Sequence, residues 1–276
     1  MSALELLAIL LAGVGAGTIN AVVGSGTLIT FPTLLALGVP AVTANMSNSL
    51  GLVPGSVAGA VGYRRELVGQ RARIVRLLVF STSGGVLGAV LLLVLPPGAF
   101  EAVVPVLILL GVALVIVQPR LSRYVAERAA RRETESGGES GEEASAPRPG
   151  AEPAWVLAAA FATGVYGGYF GAAQGVLLMG ILGIGIGESL QRLNGVKNVL
   201  VAVVNGVAGL IFVVAAELGL FGSDVEIDWL IVLVIGVGAV IGGFLGAAVG
   251  RKLPPLALRS IIVVVGLVAV AIIVAT

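Results

Sequence analysis

An apolar segment with one polar face occurs twice in this chain. The copies, TANMSNSLGLVPGSVAGAVG at 43–62 and LNGVKNVLVAVVNGVAG at 193–209, each carry three polar residues at positions i, i+3 and i+4. These triplets are Asn45, Asn48 and Ser49, and Asn194, Lys197 and Asn198. On a helix that spacing forms one face, and such groups at membrane depth are costly unless they face a cavity or a ligand. We therefore expect the two polar faces to meet and form one binding site.

The composition is that of a membrane protein. Of the 276 residues, 58% are hydrophobic and 11% are charged, whereas about 25% of the residues in soluble domains are charged. These values predict an all-α polytopic membrane protein. The chain contains no cysteine and no histidine, which excludes disulfides, thiolate and imidazole metal sites and a histidine proton relay. We predict neither a metal nor a cofactor.

Glycine-rich breaks interrupt two apolar runs, GSG at 24–26 and GAAQG at 171–175. The apolar pieces that follow, 27–37 and 176–187, are shorter than the roughly 20 residues that a spanning helix needs. We predict half-helices whose tips meet inside the membrane, where free N–H groups and positive helix ends would bind an anion. The predicted binding residues at the breaks are Ser25, Gly26, Gln174 and Gly175. The alternative interpretation is a pair of loops at the membrane surface.

The order of these segments repeats with a period near 150 residues. We predict two transmembrane repeats, 1–117 and 154–276, each a broken or re-entrant helix hairpin followed by three transmembrane helices. The segment between them, 118–153, is rich in Arg, Glu, Ser and Gly and is predicted to be a disordered cytoplasmic linker.

The placement of charge predicts an inverted topology. The loops at 64–76 and 251–259 and the linker carry Arg and Lys, whereas the loop at 217–228 carries only acidic charges. Because basic loops stay in the cytoplasm, the equivalent loops 64–76 and 217–228 are expected on opposite sides, with both termini outside. Opposite sides for equivalent loops are typical of inverted repeats. The rival count of eight simple spans places both loops on the same side.

The chemistry of the polar faces favours an anion. Asn and Gln supply N–H donors and Lys197 adds a positive charge that would suit an oxyanion. The alternatives are polar contacts that only hold helices together, and a Lys197 side chain that reaches back to water. Glycines spaced by four, 84 and 88 and then 242, 246 and 250, predict close helix packing or a homodimer face.

The sequence offers little for catalysis. An embedded enzyme would need a nucleophile with a base or clustered carboxylates, and no Asp or Glu lies deep in a predicted span. The glycine clusters also lack the Lys-Ser/Thr ending of a phosphate loop. We predict no enzyme, no catalytic residue and no nucleic-acid partner. A channel or a scaffold is the remaining alternative, although no continuous polar stripe is visible.

Two stretches, at 15–67 and 164–209, resemble the sulfite exporter TauE/SafE family. They are GAGTINAVVGSGTLITFPTLLALGVPAVTANMSNSLGLVPGSVAGAVGYRREL and GVYGGYFGAAQGVLLMGILGIGIGESLQRLNGVKNVLVAVVNGVAG. The chain is similar to that family in its two related halves, its charged central loop and its small-residue-rich first segment followed by Pro32. The resemblance implies a secondary transporter, acting as an exporter of sulfite, sulfonates such as sulfoacetate or related organosulfur anions across the bacterial inner membrane. The alternative is an anion channel or a transporter of a small non-sulfur anion.

Overall fold

The computed structural model describes residues 1–136, 152–186, 188–220 and 226–249, together with 263, 264 and 267. Within these ranges the chain forms nine α-helices and no strand. The helices are α1 (Ala3–Val22), α2 (Thr27–Ala36), α3 (Ala41–Gly62), α4 (Arg71–Val94), α5 (Pro97–Ser136), α6 (Ala154–Tyr169), α7 (Gln174–Gly185), α8 (Leu190–Glu217) and α9 (Trp229–Val249). Five segments are long and apolar enough to cross a membrane: Ala3–Val22, Arg71–Val94, Pro97–Arg120, Leu190–Glu217 and Trp229–Ala248. The predicted all-α polytopic class is confirmed.

Both predicted helix breaks are present, and each is followed by a short helix. The chain turns at Gly24 and Gly171, whose φ angles of +89° and +76° are readily adopted only by glycine. The helices that follow, α2 and α7, have 10 and 12 residues, too few to span a membrane. Helix α2 folds back onto α1. The two backbones are in close contact, since a Cβ on Gly26, the residue before α2, would lie 2.5 Å from the carbonyl oxygen of Ala16 in α1.

Glycine contacts join the two halves of the chain. A Cβ on Gly84 of α4 would lie 2.1 Å from the carbonyl oxygen of Phe161 in α6. In the same way, a Cβ on Gly242 of α9 would lie 2.0 Å from the carbonyl oxygen of Val14 in α1. The predicted close packing at these glycine steps is confirmed, while Gly250 lies outside the described residues. Helices of the first half therefore interleave with helices of the second.

The two polar-faced helices, α3 and α8, lie side by side and run in opposite directions. A Cβ on Gly195, near the start of α8, would lie 3.3 Å from the side chain of Tyr63, which follows α3. A Cβ on Gly209, further along α8, would meet Leu50 in the first half of α3 at 2.4 Å. All residues of the two polar triplets except the half-buried Asn194 are buried, so both polar faces point into the bundle.

Two helix boundaries differ from the sequence expectation. Helix α4 begins at Arg71, so the connection predicted as a basic loop over 64–76 ends at Gln70. Helix α5 continues to Ser136, so 118–136 of the predicted linker are helical. Ala, Arg and Glu dominate that stretch and have high helix propensity, which allows the helix to continue past the apolar span. Residues 137–151, 221–225 and most of 250–276, where the rest of the linker and the last predicted span fall, lie outside the described residues.

Candidate functional site

The two helix breaks meet in the middle of the bundle, as predicted. The backbone N–H of Gly175 donates a hydrogen bond to the carbonyl of Gly24 at 3.0 Å. A Cβ on either glycine would lie 2.5 Å from the Cα of the other, so neither position has room for a side chain. Because α2 begins at Thr27 and α7 at Gln174, two helix N-termini start at this contact, which we call the crossing.

Lys197 of α8 is fully buried beside the crossing, with 0% of its surface exposed. Its Cδ would lie 3.0 Å from a Cβ on Gly175. Its ammonium group donates to the carbonyl oxygens of Asn20 at 2.9 Å and Ala21 at 3.3 Å, in the last turn of α1. No carboxylate in the described part of the chain forms an ion pair with it. The side chain therefore does not reach water, and its charge is stabilised by the negative end of α1.

The asparagines on either side of Lys197 contact the same end of α1. Asn194 donates to the carbonyl of Val22 at 3.5 Å and to the hydroxyl of Tyr63 at 3.3 Å. Asn198 donates to the carbonyl of Ala21 at 3.4 Å. The second triplet as a whole thus satisfies carbonyl groups that the end of α1 leaves without helical partners.

The first triplet makes the matching contacts in the other half. Asn45 donates to the carbonyl of Tyr169, the last residue of α6, at 3.0 Å, as Asn194 does to the last residue of α1. Asn48 donates to the hydroxyl of Thr27 at 3.3 Å and accepts a hydrogen bond from the hydroxyl of Thr30. Ser49 is buried on the same helix, with 6% of its surface exposed. The two triplets therefore bind the broken helices, and much of their donor capacity is used within the protein.

Polar atoms without a partner remain next to the crossing. Ser25 Oγ and both side-chain polar atoms of Gln174 are buried and form no hydrogen bond with any described residue. Ser25 and Gln174 are each 1% exposed. The side-chain oxygens of Asn45 and Asn194 are also without a partner. An unsatisfied buried polar atom costs about 1–3 kcal/mol, so such atoms clustered at one place are typical of a site that a ligand completes.

The ten predicted site residues therefore form two groups near the crossing, the four at the helix breaks and the six of the polar triplets. Nine are buried, and Asn194 is half-buried. Gly26, Gly175 and Ser25 form the breaks, Gln174 opens α7, and the triplets contact the ends of α1, α2 and α6. The structure brings all of them into the centre of the bundle, and their role in binding stays a prediction.

Sequence reasoning missed several polar residues of this region. Asn20 donates to the hydroxyl of Ser56 at 2.9 Å, and Asn205 Oδ1 would lie 3.8 Å from a Cβ on Gly171. Ser56 and Asn205 follow Ser49 and Asn198 by seven residues, which keeps them on the same helix face, so the spacing could have revealed them. Nothing in the sequence marks the buried hydroxyl of Tyr166, which has no hydrogen-bond partner among the described residues.

Aromatic rings pack next to the crossing. Phe31 of α2 meets Phe170 edge to face with ring centroids 5.1 Å apart, and Phe100 of α5 lies 6.4 Å from Phe31 and 6.1 Å from Phe170. All three rings are buried. Because Phe170 directly follows α6, this cluster covers the crossing on the side where α6 ends.

Two helix breaks that meet inside an all-α membrane bundle, each opening a short helix, are typical of membrane transporters with discontinuous helices. The chain belongs to the sulfite exporter TauE/SafE family, whose sequence model matches residues 9–273. The resemblance noted in the sequence is therefore confirmed, and the family is one of membrane transporters rather than enzymes.

One curated relative is similar to part of the chain. It is described as "Probable membrane transporter protein ORF9" from Sinorhizobium sp. and is 31% identical over 99 residues. The matched stretch covers 36% of this chain and 38% of the relative, so the chain spans little more than a third of that protein's length. No solved structure matches the chain.

Proposed function

We propose that this protein is a secondary transporter that exports sulfite, sulfonates such as sulfoacetate, or related organosulfur anions across the bacterial inner membrane. The observation that carries the proposal is the group of buried, unpartnered polar atoms on Ser25 and Gln174, two residues that adjoin the contact between Gly24 and Gly175, together with the buried Lys197 beside that contact. The family of the chain supports the class of substrate.

The electrostatics of the crossing favour a negatively charged ligand. Helix N-termini carry partial positive charge and unpaired N–H groups, and α2 and α7 both begin there. An ammonium group has three N–H donors, and Lys197 directs two hydrogen bonds to carbonyls, which leaves one donor for a ligand. The hydroxyl of Ser25 and the amide N–H groups of Gln174 add neutral donors. An oxyanion would thus be held by several donors with little opposing charge.

The arrangement of the helices supports an alternating-access mechanism. The opposite directions of α3 and α8 and the matching contacts of Asn45 and Asn194 support the proposed inverted repeats. In that mechanism one repeat rocks against the other around a fixed central site. The excess of basic residues around 64–76 supports a cytoplasmic location for this end and an external location for the N-terminus.

The proposal is tested with purified protein in proteoliposomes. We expect saturable uptake of radiolabelled sulfite or sulfoacetate, and faster uptake of acetate or chloride would indicate a non-sulfur substrate. Current that rises linearly with voltage would instead indicate a channel. Lys197→Met is expected to abolish substrate binding in detergent, whereas Lys197→Arg, which keeps the charge, is expected to retain part of it. An unchanged dissociation constant in Lys197→Met would reject the role of Lys197.

A further inference from the structure

A second polar region lies at the end of the bundle where α4 and α8 begin. It surrounds a cavity of about 230 Å³. Three guanidinium groups line this cavity, those of Arg73, Arg76 and Arg192, together with Glu188 and Gln70. We call it the arginine cavity. Its volume is several times that of a single water molecule, whose share of liquid volume is about 30 Å³.

The arginines are held by two carboxylates from the second half of the chain. Glu188 accepts hydrogen bonds from Arg73 at 2.8 Å and Arg192 at 3.0 Å. Glu152 accepts from Arg76 at 2.6 Å and from Arg73 at 3.1 Å. Three positive charges therefore meet two negative charges, which leaves a net charge of about +1 in the network.

The guanidinium groups keep donors that these ion pairs do not use. Each guanidinium has five N–H groups in a planar fork that matches the oxygens of an oxyanion. Arg192 forms one hydrogen bond with Glu188 through Nη1 and has 47% of its side chain exposed. The arginine cavity is thus open to solvent and offers charged donors to a small anion.

The cavity lies close to the crossing. Arg192 precedes Lys197 by five residues on α8, which places it about 7 Å nearer the start of that helix along its axis. Between them, a Cβ on Gly195 would meet the side chains of Leu67 at 3.0 Å and Tyr63 at 3.3 Å. The phenol of Tyr63 in turn accepts a hydrogen bond from Asn194. Along α8, the side chains of Leu67 and Tyr63 at Gly195 therefore lie between the level of the arginine cavity and the level of the crossing.

We propose that the arginine cavity is a second anion-binding site, which takes a small sulfur oxyanion before it reaches the crossing. This inference rests on the proposed function. The anion would share Arg73 and Arg192 with Glu188, so its binding would weaken the ion pairs between α4 and the start of α8. Those ion pairs join the first half of the chain to the second, which links occupancy of this site to separation of the halves at this end.

The test is a sulfate titration of the purified protein in phospholipid-free detergent at constant ionic strength. The chain has two tryptophans, Trp155 and Trp229. Trp155 packs against Gly185, three residues before Glu188, so Trp229→Phe leaves a reporter near the cavity. We expect a saturable change in fluorescence. Arg192→Gln should raise the dissociation constant about tenfold or more, because a charge-assisted donor is lost.

Three variants make the titration specific. Arg71→Gln is the matched control, because Arg71 is exposed on the same helix as Arg73 and does not line the cavity; it should leave the dissociation constant unchanged. Glu188→Gln removes the competing carboxylate and should lower the dissociation constant, an effect that misfolding would not produce. Lys197→Met should keep the titration, because Lys197 is not part of the cavity. An equal effect of Arg71→Gln, weaker binding in Glu188→Gln or loss of the signal in Lys197→Met overturns the assignment.

A lipid phosphate shares the chemistry of a free oxyanion, so the titration is repeated in nanodiscs with and without phosphatidylglycerol. We expect the same dissociation constant in both, and loss of sulfate binding with phosphatidylglycerol would assign the cavity to a lipid headgroup and overturn the proposal. Transport is scored separately in proteoliposomes. If the cavity titrates in a protein that moves no sulfur oxyanion, the proposed function fails and this site stands. If transport occurs without a titration, this site alone fails.

Discussion

At the scale of single residues, the buried polar groups around the crossing are of two kinds, those that have a hydrogen-bond partner and those that do not. Lys197 and Asn198 donate to the last carbonyls of α1, and these bonds hold the broken helix in place. Ser25 and Gln174 contribute polar atoms that no described residue satisfies. The first kind of residue holds the broken helix in the fold, and the second kind, beside two helix N-termini, fits the proposed site that a ligand completes. Substitutions at the second kind should therefore change binding without weakening the protein.

We expect Ser25→Ala and Gln174→Met each to raise the dissociation constant for the transported anion about fivefold, because a hydrogen bond is worth about 1 kcal/mol. The melting temperature without ligand should stay the same or rise, since no hydrogen bond within the protein is lost. Thermal denaturation with and without sulfite measures both effects. Ser81→Ala is the matched control, because Ser81 Oγ is equally buried and unpartnered but lies on α4. A drop in melting temperature with unchanged affinity would contradict the binding role.

The polar triplets also show how far the sequence could predict the site. Spacing correctly placed Asn45, Asn48, Lys197 and their neighbours on inward faces at the centre of the bundle. It could not predict that their donors bind the ends of α1 and α6, because a carbonyl of the protein and an oxygen of a ligand accept the same hydrogen bond. Only the three-dimensional path of α1 decides between these acceptors. The unpartnered state of Gln174 is likewise invisible in the sequence.

At the scale of helices, close approach through glycine builds the crossing. The length of the apolar segments and the breaks at Gly24 and Gly171 predicted the short helices α2 and α7, since glycine readily adopts a backbone conformation with positive φ that other residues rarely adopt. The interleaving of α4 with α6 was not predictable, because glycine steps indicate a close contact without naming the partner helix. The hydrophobicity of the sequence does not reveal the extension of α5 to Ser136, because a stretch of low hydrophobicity is typical of disorder even where its residues have high helix propensity.

We expect Gly175→Ala to disrupt the crossing. Its new Cβ would lie 2.5 Å from the Cα of Gly24 and 3.0 Å from Cδ of Lys197, so the two helix tips would have to separate. Overpacking of this kind typically costs about 1–3 kcal/mol. A lower melting temperature and loss of anion binding, measured on the same purified protein, would show the effect.

Gly206→Ala is the control for this substitution. Gly206 is also helical, and the nearest heavy atom to its Cβ would be Val53 Cγ1 at 3.9 Å, an ordinary contact. Alanine there should leave the melting temperature unchanged or raise it, since a helical glycine replaced by alanine gains about 0.4–1 kcal/mol. If both variants behaved alike, the tight contact at the crossing would not limit stability.

At the scale of the whole molecule, two kinds of contact hold the halves together. In the bundle interior, backbones meet through glycine and small side chains, as between α4 and α6. At the end where α4 begins, the connection is ionic, through Glu152 and Glu188 with the arginines. A movement that opens this end must break ion pairs, whereas the packed interior can act as the pivot. The ionic contact is therefore the part of the assembly that solution conditions can weaken selectively.

These carboxylates predict acid sensitivity. Burial raises the pKa of Glu152, but hydrogen bonds from Arg76 and Arg73 outweigh it and hold that pKa below its ordinary value. Burial likewise raises the pKa of Glu188, and hydrogen bonds from Arg73, Gln70 and Arg192 more than reverse it. A carboxylate with a lowered pKa in the folded state stabilises at pH values above its unfolded pKa of about 4.3. That stabilisation is lost as pH falls through the folded pKa.

We therefore expect the melting temperature of the purified protein to fall steeply below about pH 4.3, measured by intrinsic fluorescence in steps from pH 8 to pH 3. Glu152→Gln should lower the melting temperature at pH 7 and reduce its fall at low pH. Glu152 has only 3% of its side chain exposed, and its loss leaves the charges of Arg73 and Arg76 less compensated. A hydrogen bond to a charged group contributes on the order of 2 kcal/mol. Glu101→Gln, at an exposed position on α5, serves as the control and should keep the wild-type profile. If the profiles of melting temperature against pH for Glu152→Gln and the wild type were the same, the ion pairs at this end would not help to hold the halves together. The glycine contacts alone would then hold them.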